Sequence, residues 1–301
     1  MPQDILAIDS HVAEQVQQAL KGEKANEIMD LAMEIKPNHQ LTSIVDLAGG
    51  KEETQSASPW LTTATCTILA TGLVNMESQI GVTEQEKKII RETINQIKQN
   101  VFFYLKTYED NNSYSPELAE VTSPVNLEIW ASSGAREHMV MAVSEYHEYM
   151  HLLQRRQADR VDCPQALIEG TADFLTDQAF NGNMGMGSLS IGYPVEYLQV
   201  ALLGKEFAKR VIVNIGETCL TPYSWESPAF QEAKDNFFMN WGVDPTSENE
   251  EAFMSIYEES EANLMPVRTG GDEVDKINKI NEALKKMGLD PEIIWRMYMP
   301  E

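Results

Sequence analysis

The stretch His147-Glu148-Tyr149-Met150-His151 places two imidazoles four positions apart, with a glutamate directly after the first. On an α-helix, residues i and i+4 share a face, so both rings can present a nitrogen to a single point. Two converging imidazoles are a metal-ligand pair. Glu148, turned about 100° further round the helix, can reach a water held by the same ion and act as its base. The chemistry implied is hydrolysis by a metal-activated water, with zinc the usual ion for such a ligand set. The plain structural alternative is a pair of core histidines bonded to backbone carbonyls.

A helix must position these residues, and the surrounding chain reads as one. From Ala135 to about Arg156 there is neither Pro nor Gly, and Ser133 can cap the start. Val140, Val143, His147, Met150 and Leu153 recur at helical spacing, which turns the histidines inward.

A catalytic zinc commonly takes three protein ligands and keeps a fourth position open. The extended motif HExxHxxGxxH is excluded, because Gln154 and Gln157 stand where its Gly and third His belong. No histidine follows His151, and His11, His39 and His138 belong to no recognisable motif. A carboxylate is available instead. Glu169 follows His151 by eighteen residues, after a polar stretch closed by Pro164, a residue suited to the first turn of a new helix. One helix therefore ends, the chain turns, and a second returns Glu169. Asp173 lies four residues further on the same face, where it could accept the distal N–H of a ligating histidine.

HExxH followed by a helix bearing Glu-x-x-x-Asp at this interval resembles the gluzincins, the thermolysin-like clan of zinc metallopeptidases. The resemblance covers about residues 125 to 180. It implies one zinc per chain, bound by His147, His151 and Glu169, with Glu148 as general base and Asp173 orienting a histidine. It also implies a zincin-like fold of two lobes with the cleft between them. The first, 1–160, would hold a small sheet and the HExxH helix; the second, 161–301, would be helical and carry the third ligand. The Gly-x-Met-Glu-Asn signature of the aminopeptidase branch does not occur, so the expected activity is that of an endopeptidase. Gly170-Thr171-Ala172-Asp173 also resembles the Gly-Thr-x-Asp segment of the aspzincins, in which the aspartate is the third ligand, and Asp173 stays open as the rival to Glu169. A di-iron bundle needs two Glu-x-x-His pairs. Glu148 and His151 form one, but Ile8, Lys36, Ala135 and Ser144 precede the other histidines at that spacing.

In a peptidase of this kind Glu148 takes the water proton and later delivers it to the leaving amine. The oxyanion needs a further donor, which gluzincins supply as a Tyr or His from the lobe after the glutamate helix. No His is available there, so the candidates are Tyr193, Tyr197 and Tyr223, with Tyr193 preferred because a loop enters a helix at that point. That helix is expected from about Val195 to Val211. Arg210, near its end, could bind a substrate carboxylate or the C-terminal end of the helix. The glycine-rich segment 181–188 lacks Lys and GxGxxG spacing, so it is no phosphate loop; it reads as a loop over the cleft or a flexible connection. Val125 to Trp130 alternates as a strand, and in gluzincins an edge strand in this neighbourhood pairs with extended substrate.

The remaining sequence bounds the answer. With 301 residues and 43% hydrophobic side chains the chain can build a proper core. Helical patterns outnumber strand-like runs, which predicts a mainly helical α+β fold with a small sheet in the first lobe. Thr83 to about Leu105 reads as one long helix, with Val101 to Leu105 as an alternative strand. Residues 248–251 and 258–261 mark an acidic solvated stretch, Thr269 to Asp272 a linker, and Val274, Ile277, Ile280, Leu284 and Met287 a last amphipathic helix ending at Gly288. The formal charge of -24 argues against nucleic acid as a partner and suits a peptide or protein substrate, basic ones included. No signal peptide or membrane-spanning run is visible. Three widely spaced cysteines without CxxC fit a reducing compartment, so the expected location is the cytoplasm. The functional alternative from another class is a zincin-like zinc-binding scaffold that no longer cleaves anything and serves in protein binding.

Overall fold

The computed structural model describes residues 16–35, 39–47, 51–56, 59–97, 101–108, 127–132, 146–147, 149–151, 153–154, 165–180, 194–214, 224–257 and 270–298. Among them the chain is mainly helical. It divides into two compact units, Met1–Arg156 with Gln178–Gly182, and Gln157–Asp177 with Asn183–Glu301.

In the first unit, helix α1 (Ala25–Ile35) buries Ile28, Leu31, Ala32 and Ile35, one stripe at three-to-four spacing. Strands β1 (His39–Leu47) and β2 (Lys51–Ser56) pair antiparallel. Helix α2 (Pro59–Gln79) is the central helix of this unit, since nearly every residue from Cys66 to Glu77 is buried, and a helix apolar all round belongs inside. It stops at Gly81, whose φ of 68° a side chain rarely tolerates. Helix α3 (Glu84–Ile97) then starts with a reciprocal cap: Thr83 N–H donates to Glu86 Oε2 at 2.8 Å, and Glu86 N–H donates to Thr83 Oγ1 at 3.3 Å. Strands β3 (Val101–Tyr108) and β4 (Leu127–Ser132) complete a sheet of order β2-β1-β3-β4, with β3 parallel to both β1 and β4. The strand alternative for Val101 to Leu105 is the one adopted, and the helix expected to reach Leu105 ends at Ile97.

In the second unit, α4 (Gln165–Ala179) supplies residues up to Asp177, followed by α5 (Pro194–Leu203), α6 (Lys205–Val213), α7 (Pro228–Trp241), α8 (Ser247–Ser255), α9 (Gly270–Lys286) and α10 (Pro291–Tyr298). Helix α5 is the inner one. All of its residues from Val195 to Leu203 are buried except Glu196, and α6, α7, α9 and α10 pack around it. Gln199 Nε2 on α5 donates to the Ile256 carbonyl at 2.6 Å, while the Tyr257 hydroxyl donates to the Gln199 carbonyl at 3.0 Å. Trp225, Phe230, Phe237, Phe253 and Tyr257 form an aromatic core with ring centroids about 5 to 6 Å apart, the spacing such rings prefer.

Two expectations are corrected here. The helix expected from Val195 to Val211 is broken at Gly204, where φ is 85°, so α5 and α6 are separate. The linker expected at Thr269 to Asp272 is helical from Gly270, as the first turn of α9. Residues 248–251 are exposed or half-exposed, as expected of a solvated stretch, and lie on α8, which a Thr246 hydroxyl caps by accepting from Asn249 N–H at 3.2 Å. The last amphipathic helix does end at Gly288, although Val274 at its start faces solvent and Ile280, Leu284 and Met287 carry the packing. Among the described residues no helix is long and apolar enough to cross a membrane.

The first unit holds a buried ion pair. Arg91 on α3 donates to both carboxylate oxygens of Glu77 on α2, at 3.0 and 2.7 Å. Burial pushes the Glu77 carboxyl above its ordinary range, and Arg91 pulls it back only in part. A carboxylate with a raised folded-state value stabilises the fold fully below the unfolded range, and that contribution fades as pH rises through the folded value. Arg91→Leu would leave Glu77 buried without its partner and raise the folded value further. The expected cost is about 3–5 kcal/mol near neutral pH, shrinking on acidification as Glu77 takes up a proton. Urea denaturation at neutral and acid pH checks this; a loss that grows on acidification would contradict it.

Candidate metal centre

The described residues between Tyr146 and Gln154 are helical. Tyr149, Met150 and Leu153 are buried, His151 and Gln154 are buried beside them, and His147 is half-buried. Tyr146, immediately before the first histidine, is fully enclosed. Its hydroxyl donates to Met76 Sδ at 3.3 Å, and its ring meets Phe180 edge-on at 5.5 Å. Gly72 on α2 makes room for it, since a Cβ there would stand 2.6 Å from a ring carbon. The absence of a side chain at position 72 thus lets the motif helix approach α2.

His147 and His151 stand with their rings nearly perpendicular, at 84°, and centroids 4.7 Å apart. Their Nε2 atoms face each other at 3.0 Å. The other nitrogen of His151, Nδ1, lies 2.8 Å from the side-chain oxygen of Gln154. An amide oxygen only accepts, so Nδ1 carries the hydrogen and Nε2 presents its lone pair. Ligand atoms of His147, His151 and Glu169 all lie within 4.8 Å of one another. The donor set suits zinc: a tetrahedral ion at 2.0–2.1 Å holds two imidazole nitrogens about 3.3 Å apart, close to the separation here, and the carboxylate adds the third donor and a balancing charge.

Glu169 is positioned by α4, and α4 by a close helix contact. At Gly170 a Cβ would lie 2.1 Å from the Glu196 carbonyl oxygen and 2.9 Å from a Val200 methyl. Only glycine lets the two backbones approach this closely. Further along α4, Phe174 packs on Tyr197 at 5.9 Å, and the Tyr197 hydroxyl donates to Asp177 at 2.9 Å. Asp173, directly before Phe174 on the same helix, is 2% exposed.

The residues read from sequence fall as follows. His147, His151 and Glu169 are brought together. Glu148, Tyr193, Tyr223 and the glycine-rich segment 181–188 lie outside the described residues. Tyr197 is set aside as an oxyanion donor: burial, and then the Asp177 carboxylate, push its phenol well above the ordinary value, and its proton is committed to Asp177. Arg210 stands in the last turn of α6, where the helix-end reading puts it, and its guanidinium also pairs with Glu232 at 2.7 Å. Gln154 is the residue that sequence reasoning missed. It had entered only as the amino acid that excludes an extended motif, although its i+3 spacing from His151 was the available signal. No protein-family model matches the chain, and no curated protein or solved structure is detectably similar to it.

Gly170→Ala tests the α4–α5 contact. The added methyl meets backbone rather than a movable side chain, so the helices must separate. The expected loss is about 1–3 kcal/mol or more, read as a lower denaturation midpoint with an unchanged denaturant slope. A variant as stable as the wild type would contradict the close approach.

Proposed function

We propose that this protein is a zinc-dependent peptide hydrolase of the gluzincin type, acting as an endopeptidase. The observation that carries this reading is the convergence of two imidazole nitrogens and a buried carboxylate, with His151 held in the ligating tautomer. A bound zinc would supply a Lewis acid and lower the pKa of a water at the open position. His147, His151 and Glu169 hold it. Glu148, next to the first ligand, takes a proton from the attacking water and returns it to the leaving amine. Asp173, one turn after Glu169, accepts from the distal N–H of His147, and Tyr193 donates to the oxyanion. The fold reading that goes with this is a zincin-like pair of lobes, one with the small sheet and one helical. Among the described residues strand β4 ends the sheet order, and an extended peptide would pair by its backbone along that edge.

Three measurements test the proposal together. Metal analysis of the purified chain should find about one zinc per chain in the wild type and little in His147→Ala. Glu148→Gln should retain the metal while cleavage of a peptide library falls by about 10²–10⁴-fold. A wild type without stoichiometric metal would remove the site altogether. A wild type that binds zinc yet is as inert as Glu148→Gln would favour the non-cleaving scaffold.

A further inference from the structure

We propose that Gln154 is the positioning residue of His151, fixing its tautomer and rotation while sparing this one ligand the extra negative charge that a carboxylate partner would bring. The inference rests on the reading of His147, His151 and Glu169 as metal ligands. Its own support is geometric. The Gln154 oxygen stands 2.8 Å from His151 Nδ1. Gln154 is only 1% exposed and His151 5%, so bulk water does not compete for either group. The two residues are one helical turn apart, and the partner is therefore carried by the same rigid element as the ligand. With Nδ1–H committed to Gln154, the imidazole plane can turn only at the cost of a buried hydrogen bond. Nε2 is then aimed at the point that His147 Nε2 also faces.

The charge of the partner matters as much as its position. Metal-bound histidines often give their second N–H to a carboxylate, which raises ligand basicity. The partner of His151 is a neutral amide, unlike the carboxylate assigned above to His147. Two neutral imidazoles and one carboxylate leave a divalent cation with a net positive charge, which favours polarising a substrate carbonyl over holding the metal as tightly as possible.

Zinc affinity of the full chain, measured by competition with a chromophoric chelator, separates this role from a packing role. Gln154→Leu keeps the volume and removes the acceptor; zinc binding should weaken by about 10–100-fold. Gln154→Glu keeps an acceptor and adds charge; binding should be several-fold tighter than in the wild type. A residue that only packs the helix would not move affinity in opposite directions. Gln154→Leu binding zinc as the wild type does, or Gln154→Glu weakened like Gln154→Leu, would overturn the assignment. If Gln154→Leu does not fold, Gln154→Glu decides alone: affinity equal to or below that of the wild type overturns it. A wild type that takes up no zinc would instead overturn the metal reading itself, and this inference with it.

Discussion

Two imidazole nitrogens facing each other at 3.0 Å form an arrangement that needs something between them. Two bare lone pairs at that distance repel, so either a shared proton or a cation must occupy the line of approach. The helix makes the approach unavoidable, because residues four apart project to the same side. Gln154 meets Nδ1 of His151, which leaves Nε2 to face His147, and Glu169 belongs to the same group of side chains. The same three side chains that would be awkward as a core become consistent as a cation site. An ion bound there would take the place of a shared proton, so that metal uptake would be coupled to proton release.

Rigid surroundings hold each part of that arrangement. The motif helix is keyed to α2 by Tyr146, which fills the space that Gly72 leaves and reaches Met76 with its hydroxyl. The glutamate helix α4 is keyed to α5 by Gly170 and by the Tyr197–Asp177 hydrogen bond. In both cases a glycine allows a close packing contact, and a buried tyrosine hydroxyl adds a directional bond. The elements that carry the candidate ligands are therefore fixed by packing within their own units.

The grouping of His147, His151 and Glu169 could be read from sequence because a helix converts spacing directly into geometry: i, i+4 for the histidines, and a second helix for Glu169. The helical class was equally readable from apolar periodicity. Boundaries were harder, for identifiable reasons. The apolar pattern from Val195 to Val211 continues smoothly across Gly204, and nothing but the glycine announces the positive φ that divides α5 from α6. Gly270 and Gly271 have poor helix propensity, yet they join α9, whose later turns are held by the packing of Ile280, Leu284 and Met287. Tyr197 was a reasonable oxyanion donor as a type, but only its burial against Asp177 reveals that its proton is already used. Gln154 carried little signal because a neutral amide belongs to no metal motif, and its role depends on a hydrogen bond that spacing alone does not specify.

The central claim is that His147, His151 and Glu169 form one zinc centre, and X-ray absorption at the zinc edge of the full chain loaded with one equivalent tests it most directly. The expected spectrum has about four nitrogen or oxygen neighbours at 2.0–2.1 Å, with the outer-shell pattern of two imidazoles. A sulfur shell near 2.3 Å, or a spectrum unchanged when both histidines are replaced, would contradict the account.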